Sequence, residues 1–425
     1  MQDLLAEYRD IRHPRNVGLI SVSHGINEFY SIVLPPVIPL LVTDFGITYA
    51  QAGLLLTVFF VMYSVFQLPA GLVADRVGKK RLLVLGLAGM AASLVLASAA
   101  GSYDALLAAQ AVAGISGSTY HPTGMSLVSD FESDQTEGKA MGVFGFGGML
   151  GVAGAPLGVG GVAALFGWRA ALVAAATGGL VFVVAFQVLF REPDRPDGTA
   201  PAAEADGGRE PASPGDGLVA RARARLAAVL RFRITPPVVV LALLTLLISL
   251  QLRALHTFAT GFLVDGVGRS TSLANGLFFV MLAASAVASI WVGGLADRLD
   301  RRLLGAAAAG VTTLILGGMF FLTVGDGLGG GPPTTVLLGG AFALLGFAVY
   351  GCSPVKNALI SEYATEESSG GLFGVTQTTS ALGSAAGPAV FGYVATDAGI
   401  GVAFPLVATV SVLIAAGFLL LARVG

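Results

Sequence analysis

Charged residues are scarce in this chain of 425 residues, and their scarcity indicates its class. Lys, Arg, Asp and Glu make up 12% of the residues, against about 25% in soluble globular proteins, and 55% of the residues are hydrophobic. The net charge of −2 gives no reason to expect a nucleic-acid partner. With a mean hydropathy of +0.80, the composition is that of a polytopic membrane protein.

Residues that commonly build catalytic or metal centres are also few. The single cysteine, Cys352, excludes an intramolecular disulfide and a metal site built from clustered cysteines. The 4 histidines lie in separate segments without a HExxH pattern, and the chain has no Walker loop that would indicate ATP as the energy source. We therefore predict no metal, no cofactor and no enzymatic activity. A membrane-embedded enzyme or a non-transporting sensor is a remote alternative.

The hydrophobic residues fall into runs long enough to cross a bilayer. A helix needs roughly 20 mostly apolar residues to span a hydrocarbon core of about 30 Å. Twelve spans are predicted, at 17–42, 49–74, 81–100, 103–129, 138–163, 168–190, 236–264, 271–296, 303–324, 334–361, 371–394 and 400–422. Glycine and polar residues dilute the signal most in the fourth, fifth, tenth and eleventh spans. The prediction is an all-α membrane protein with twelve transmembrane helices.

Positive charge is distributed unevenly between the two sides of the predicted bundle. Of the 24 lysines and arginines, only Arg169 and Arg269 fall in loops on one side, and only Arg253 and Lys356 fall within spans. The others lie in the termini and in the loops on the opposite side. Because cationic loops stay in the cytoplasm, we expect a multi-pass protein of the cell membrane with both termini cytoplasmic.

A charged turn interrupts the apolar pattern twice. The first copy reads GLVADRVGKKRLL and the second reads GGLADRLDRRLL, 222 positions later. The shared residues are Gly71, Asp75 and Arg76 in the first copy and Gly293, Asp297 and Arg298 in the second. A polar turn repeated six spans apart indicates two copies of one membrane bundle.

A second repeat supports this division into two halves. The stretch PTGMSLVSDF from Pro122 parallels PVKNALISEY from Pro354, and this offset of 232 holds through Pro156 and Pro388. The predicted units are a cytoplasmic N-terminal segment (1–16), a first six-helix bundle (17–190), a cytoplasmic linker (191–234) and a second six-helix bundle (235–425).

The linker itself divides into two parts. Residues 191–217 are rich in Pro, Gly, Ala and acids, which predicts a flexible segment. The arginines that follow, from Arg221 to Arg233, alternate with apolar residues. This basic segment would lie on the anionic inner leaflet, or it would be a solvated helix that follows the same charge bias.

Two charged turns, six spans apart in a twelve-span chain, resemble those of the major facilitator superfamily. The resemblance implies two pseudo-symmetric six-helix bundles that rock about a central site and expose it to each side in turn. It also implies that Asp75 and Arg76, and likewise Asp297 and Arg298, cap and cross-link neighbouring cytoplasmic helix ends and so act in gating. Gly71 and Gly293 would begin these gating turns.

A narrower resemblance involves spans one and four. His24-GI-Asn27-Glu28 resembles the His-x-x-Asn-Asp pattern of the fosmidomycin-resistance branch, and Gly117-STY-His121-Pro122 resembles its Gly-Ser-x-x-His-Pro. Members of that branch are efflux carriers of small polar or anionic drugs, which they are thought to exchange for protons. The resemblance implies an antiporter.

One acidic residue stands out among the 26, because only Glu28 falls deep within a predicted span. It lies about 12 residues into the first span, near the bilayer centre at 1.5 Å per residue. An ionisable group at that depth is costly and needs a partner or a proton. With His24 on the same helix face, Glu28 is predicted to couple transport to protons; the alternative is a structural acid bonded to His24 or Asn27.

Two cations also fall within spans. Arg253, in span seven, would bind an anionic group of the substrate, or it would pair permanently with Glu28. Lys356, in span ten, would contact substrate or extend to the cytoplasmic surface. Polar residues that would complete a substrate cavity, or join helices, are Asn27, Tyr30, Gln67, Tyr120, His121, His256, Asn357 and Gln377.

These observations together predict a secondary active transporter that works by alternating access. Proton-coupled export of a small polar or anionic compound is the leading function. The alternative is a proton-coupled uptake symporter for an organic acid or sugar. The expected partners are the substrate, protons and the lipid bilayer, and the expected oligomeric state is a monomer.

Overall fold

The computed structural model describes residues 11–133, 135–191, 235–324, 332–364 and 369–424, and every regular element in these ranges is a helix. The residues before 11, and the linker 192–234 with its basic segment, lie outside the described residues. The α-helices are α1 Pro14–Ser31, α2 Ile38–Phe45, α3 Tyr49–Val77, α4 Lys79–Ser98, α5 Tyr103–Gly117, α6 Tyr120–Phe131, α7 Glu137–Leu189, α8 Pro236–Gly261, α9 Thr271–Ala296, α10 Arg301–Val324, α11 Pro332–Tyr363, α12 Ser369–Ala398, α13 Ile400–Leu406 and α14 Ala408–Val424.

The helices are consistent with twelve passes across a membrane. In the described ranges, 9 segments are long and apolar enough to cross one. One of them, α7, contains two predicted spans, because Gly167 adopts a φ of 82° that breaks the helical path. The diluted fourth span (α5 and α6) and eleventh span (α12) are not among these segments. The prediction of an all-helical membrane fold is confirmed.

Two of the passes are broken near their middle. The first pass is interrupted between α1 and α2, where a short 3₁₀ helix spans Pro35–Val37. The fourth is interrupted between α5 and α6, just before His121 and Pro122. Proline lacks the N–H that continues an α-helix. Each break has prolines beside it: Pro35 and Pro36 follow α1, and Pro122 lies in the first turn of α6. Broken helices in membrane carriers occur where backbone lines a cavity.

Close backbone contact holds the first pass against the fifth. A Cβ atom on Gly25 of α1 would lie only 2.8 Å from the carbonyl oxygen of Gly147 in α7. Gly151 makes the same kind of contact, since a Cβ atom there would overlap the carbonyl oxygen of Gly25. Small residues allow two helices to approach until their backbones touch, and this contact decides which α7 residues reach the α1 side chains.

The two halves of the chain meet through two pairs of helices. Helix α3 packs against α12, and α7 packs against α9. Hydrogen bonds between the halves cluster at the end of the bundle opposite the termini. There Tyr49 donates to Asp265, the Ala50 N–H donates to Thr396 Oγ1 (2.8 Å), and Asn275 Nδ2 donates to the Pro36 carbonyl (3.1 Å).

At the end that carries the termini, ion pairs connect helices of the same half. Lys79 pairs with Asp130 (2.6 Å) in the first half, and Arg301 and Arg302 pair with Glu362 (3.0 and 2.9 Å) in the second. Lys79 and Arg301 occupy equivalent positions in the repeated turn, and Asp130 and Glu362 occupy equivalent positions in the second repeat. The two halves therefore repeat an ion pair as well as a sequence.

The residues predicted to act in gating lie near these ion pairs. The side chains of Arg76, Asp297 and Arg298 are exposed and form no ion pair with a described residue in this conformation, and the side chain of Asp75 lies outside the described part of the structure. A Cβ atom built on Gly71 would lie 3.7 Å from the Cβ of Pro122, which is an ordinary contact. A Cβ atom on Gly293 would meet no atom within 4 Å. Their part in gating stays a prediction.

Candidate functional site

A cavity of about 300 Å³ lies between the two halves, roughly midway along the helices. From the first half it is lined by His24 and Glu28 of α1, His121 of α6 and a glycine-rich stretch of α7. From the second half it is lined by side chains of α9 and α11, including Ser285 and Tyr350. The polar residues of the two broken passes therefore meet at one surface.

His24 is held in a fixed orientation by α7. Its Nδ1 lies 2.8 Å from the Phe144 carbonyl oxygen, and its ring stacks on the Phe144 ring with centroids 3.9 Å apart. Gly148 leaves room for the ring, because a Cβ there would lie 2.5 Å from His24 Cε1. A carbonyl oxygen can only accept a hydrogen bond, so Nδ1 carries a proton, and Nε2 lies on the side of the ring that faces Glu28.

Glu28 lies between two imidazole rings. Its Oε1 is 3.8 Å from His24 Nε2 and 3.6 Å from His121 Nε2, and it accepts a hydrogen bond from Asn27 Nδ2 at 3.1 Å. The side chain of Glu28 is 17% exposed, toward the cavity that it lines. The predicted proximity of His24 and Glu28 is confirmed, and His121 joins them as a third member.

Two buried atoms beside this cluster have no hydrogen-bond partner among the described residues. These are Asn27 Oδ1 and His121 Nδ1. Tyr63, a residue of α3 that sequence reasoning missed, has a buried hydroxyl in the same situation. Buried polar groups are usually paired, so unpaired atoms beside a cavity favour a site that binds something.

Arg253 of α8 brings a cation to the interface from the second half. Its guanidinium carbon lies 4.4 Å from the centre of the Phe60 ring of α3, a cation–π contact between the halves. Arg253 is half-buried and forms no ion pair with any described carboxylate. The permanent Arg253–Glu28 pair, one of two alternatives from the sequence, is therefore not formed in this conformation.

Two of the predicted cavity residues are used for packing instead. The Tyr30 hydroxyl donates to the Ala175 carbonyl (3.0 Å), which joins the first pass to the sixth. The Tyr120 hydroxyl bonds to Ser23 Oγ (2.6 Å) and donates to the Ile20 carbonyl (3.0 Å). Neither side chain lines the cavity, although the Tyr120 ring stacks beside His24, with centroids 5.6 Å apart. We assign both tyrosines to holding α1 in place.

The remaining predicted residues are dispersed. His256 lies behind the cavity wall, with Nε2 3.3 Å from the Tyr350 hydroxyl. Gln67 and Lys356 are half-buried and Asn357 and Gln377 are exposed, and none of these four forms a hydrogen bond or ion pair with a described residue. Their contact with substrate stays a prediction.

Sequence reasoning missed the second-half wall of the cavity. Tyr350 and Ser285 line it, but each stands in an apolar run where a single hydroxyl carries no pattern. It also missed Phe144, whose backbone carbonyl orients His24, because a contact through a carbonyl leaves no mark on residue type. The glycines of α7 were the available signal, since small residues allow close contact between helices.

Comparison with known proteins gives the family. The model of the Major Facilitator Superfamily matches residues 20–388. The chain belongs to the major facilitator superfamily. Members of this superfamily are multi-pass membrane transporters of small molecules rather than enzymes.

The individual relatives are more distant. The fosmidomycin resistance protein of Escherichia coli is 32% identical over 141 residues, which are 33% of this chain and 34% of that protein. A probable L-galactonate transporter of the same species is 24% identical over 157 residues, 37% of this chain and 35% of that protein. The chain thus matches only about a third of the length of these relatives.

A solved structure covers much more of the chain. It is a bacterial homologue of the human lysosomal transporter Spinster, in an inward-facing, unoccupied conformation. The two chains align with a TM-score of 0.75 and 18% identity, over 96% of this chain and 97% of the other. At that identity the likeness establishes the fold, and the predicted major facilitator fold is confirmed.

Proposed function

We propose that this transporter exports a small polar or anionic compound in exchange for protons. The observation that carries the proposal is the placement of Glu28. It is a carboxylate at mid-membrane depth, between two imidazoles, on the wall of a cavity between the two halves. A group that can be charged or neutral at that depth suits the binding and release of a proton as the cavity opens to each side.

Substrate charge is inferred from the opposite half. Arg253 is a permanent cation with no carboxylate partner among the described residues, and it lies at the interface between the halves. An anionic group of the substrate would supply the missing partner through charge-assisted hydrogen bonds. The likeness to a fosmidomycin resistance protein supports export. The likeness to a probable L-galactonate transporter favours the second candidate, proton-coupled uptake of an organic acid.

We further infer the orientation from the charges of the loops. The lysines and arginines concentrated at the terminal end support a cytoplasmic location for both termini in the cell membrane. The cavity would then open to the cytoplasm in this conformation, because the hydrogen bonds between the halves lie at the other end. The transporter would work as a monomer, since one chain supplies the whole cavity wall.

The test is flux in proteoliposomes, with fosmidomycin and L-galactonate as labelled probes. Glu28→Gln should abolish flux driven by a pH gradient and preserve counterflow, in which substrate exchanges for substrate without net proton movement. Glu362→Gln, an acid outside the cavity, is the matched control and should keep both activities. Unchanged gradient-driven flux in Glu28→Gln would refute proton coupling through this residue.

Arg253 is tested separately. Arg253→Ala should weaken the binding of anionic probes far more than that of neutral analogues, because only the anions lose a charge partner. Ligand-induced shifts in thermal stability of the purified carrier measure this difference. Equal losses of affinity for anionic and neutral probes would show that Arg253 supports the structure of the site and does not bind the anionic group.

A further inference from the structure

Glu28, His24 and His121 form a set of three that the sequence did not predict, since only His24 was expected beside Glu28. His24 Nε2, Glu28 Oε1 and a ring nitrogen of His121 all lie within 4.8 Å of one another. His24 and Glu28 share a face of α1, and His121 comes from the broken fourth pass. The four histidines are far apart in sequence, but folding brings two of them to one carboxylate.

The orientation of His24 makes this set electron-rich. Its Nδ1 proton is donated to the Phe144 carbonyl, so a neutral His24 presents the lone pair of Nε2 toward the Glu28 carboxylate. A lone pair and a carboxylate oxygen facing each other at 3.8 Å repel, and either a proton or a bound metal cation between them removes the repulsion. His121 Nε2, at 3.6 Å from the same oxygen, adds a third donor.

The donor types and distances match a particular class of cation. Two imidazole nitrogens and one carboxylate oxygen suit a first-row divalent transition metal, whereas Mg²⁺ and Ca²⁺ prefer sites made only of oxygen. Tetrahedral ligands at about 2.0–2.1 Å from Zn²⁺ lie about 3.4 Å apart. The two distances to Glu28, 3.6 and 3.8 Å, need to contract by a few tenths of an ångström, and the two imidazole nitrogens, which lie within 4.8 Å of each other, need to approach as well.

The surroundings also resemble those of a metal site. Metal-binding histidines usually donate their second nitrogen to a carbonyl or carboxylate; His24 does so to Phe144, whereas His121 Nδ1 has no partner among the described residues. The Glu28 carboxylate accepts a hydrogen bond from Asn27, which fixes it in turn. All three ligands line the cavity, which gives an ion a path of entry and leaves a coordination position open toward it.

We propose that His24, Glu28 and His121 bind one divalent transition-metal ion of the Zn²⁺ class at the cavity wall. The proposal goes beyond proton-coupled export and does not depend on it, because binding is a property of the purified chain at rest. Three protein ligands and one open position make it an exchangeable site, available to water or to an anionic group in the cavity.

Titration with Co²⁺ tests the site, because Co²⁺ replaces Zn²⁺ and absorbs visible light according to its coordination. The full-length carrier is purified with a tag that contains no histidine. We expect one Co²⁺ per chain, with the absorption of a low-coordinate nitrogen and oxygen site, which Zn²⁺ abolishes by displacement. Absence of this absorption in the wild type would overturn the proposal.

Variants locate the ion. His121→Gln should weaken Co²⁺ binding by about tenfold or more, since altering even an outer-shell partner of a metal ligand costs that much. With a side chain 32% exposed, His121 can be replaced without disturbing the core, whereas His24 is buried. His13→Gln, a histidine away from the cavity, is the control and should bind normally. Unchanged binding by both His121→Gln and Glu28→Gln would overturn the site.

The outcome is separable from that of the proposed function. Proton-driven flux without Co²⁺ binding would refute the metal site alone. Site-specific Co²⁺ binding without proton-driven flux would support the metal site and refute the coupling mechanism.

Discussion

The two ends of the interface between the halves are built from different interactions. At the end opposite the termini, hydrogen bonds and backbone contacts connect one half to the other, as between Asn275 and Pro36. At the terminal end, the ion pairs connect helices within one half, as between Lys79 and Asp130. If the halves rock as predicted, the contacts at the first end would break, whereas each ion pair at the second end would move with its own half.

This difference identifies the contacts that can set the conformational equilibrium. Alternating access needs interactions that exist in one state only, because a contact present in both states favours neither. Contacts at the closed end meet this condition, whereas ion pairs internal to a half affect stability alone. The four predictions below separate the two kinds of contact, from the largest expected effect to the smallest.

The largest effect is expected at Gly53 of α3. A Cβ at this position would overlap the carbonyl oxygen of Pro388 in α12, and backbone atoms cannot move aside as a flexible side chain does. Gly53→Ala should disfavour the closed end by about 1–3 kcal/mol, or about 5- to 150-fold in population. The measurement is labelling of a cysteine at Val152, in the cavity, by an impermeant maleimide added from the non-terminal side.

Gly276→Ala is the control for Gly53, because a Cβ there meets no atom within 4 Å. It should leave labelling unchanged. The native Cys352 is 2% exposed and contributes little background. Equal labelling of the two variants would contradict a backbone contact that holds this end closed.

Asn275 should give a smaller effect of the same kind. Its Nδ2 donates to the Pro36 carbonyl (3.1 Å) across the halves, and its Oδ1 accepts from Thr260 (3.0 Å) within the second half. Asn275→Leu keeps the volume and removes both bonds, but only the bond to Pro36 crosses the halves, so the closed end should lose about 1 kcal/mol, the net value of one hydrogen bond. Spin labels on α2 and α9 should then show a larger population of long distances.

Asn16→Leu is the matched control for Asn275. Its amide donates to the Arg191 carbonyl (3.0 Å) at the terminal end, within the first half. It should lower stability without lengthening the distance between α2 and α9. If Asn16→Leu opened that end as much as Asn275→Leu, the distinction between the two kinds of contact would fail.

The fold could be read from the sequence to a large extent, because membrane spans follow from composition and length. The break at Gly167 was placed between two predicted spans, and the repeats at offsets of 222 and 232 correspond to equivalent ion pairs in the structure. Of the four spans with the weakest signal, the fourth and the eleventh are also absent from the 9 described segments that are long and apolar enough to cross a membrane. Glycine and proline dilute hydropathy where helices break or approach closely.

The site was predictable only where chemistry is visible in residue type. Glu28 and Arg253 stood out, because a charge in an apolar run is costly and rare. That His121 reaches Glu28 depends on how the fourth pass breaks and on how closely α7 approaches α1, both of which are tertiary features. Tyr30 and Tyr120 take the second of their two predicted roles, joining helices, because their hydroxyls bond to backbone carbonyls of other passes.

Glu132 offers a test of pH dependence at the terminal end. Partial burial alone would raise the pKa of this carboxyl, but the N–H groups of Arg12 and His13 and the Thr136 hydroxyl outweigh it and hold the pKa below its usual value. A depressed pKa adds stability that is present above the unfolded-state pKa of about 4.3 and is lost as the pH falls through the folded-state value.

Glu132→Gln should therefore lower the free energy of unfolding by about 1 kcal/mol at pH 7, because the N–H groups lose a charged acceptor. The gap in melting temperature between wild type and variant, measured by thermal unfolding from neutral to acidic pH, should close at low pH. Asp397→Asn, an exposed carboxyl with no described partner, serves as the reference and should show no gap. A gap that persists at low pH would contradict the assigned cause.

The smallest effects are expected from the repeated ion pairs. Their side chains are 20–36% exposed, so water screens them and each is worth about 1 kcal/mol or less. Glu362→Gln loses contacts to two arginines and Asp130→Asn loses a contact to one lysine, so the first should lower the melting temperature more. High salt should reduce both differences.

Neither ion-pair variant should alter cavity labelling, because each pair moves as one piece with its own half. This expectation depends directly on the comparison of the two ends. A change in labelling in Asp130→Asn or Glu362→Gln would mean that the ion pairs at the terminal end also affect the equilibrium between conformations. The next residues to replace would then be the exposed Arg76 and Arg298, which lie close to these pairs in sequence. Their predicted gating role would require contacts that form only when this end closes.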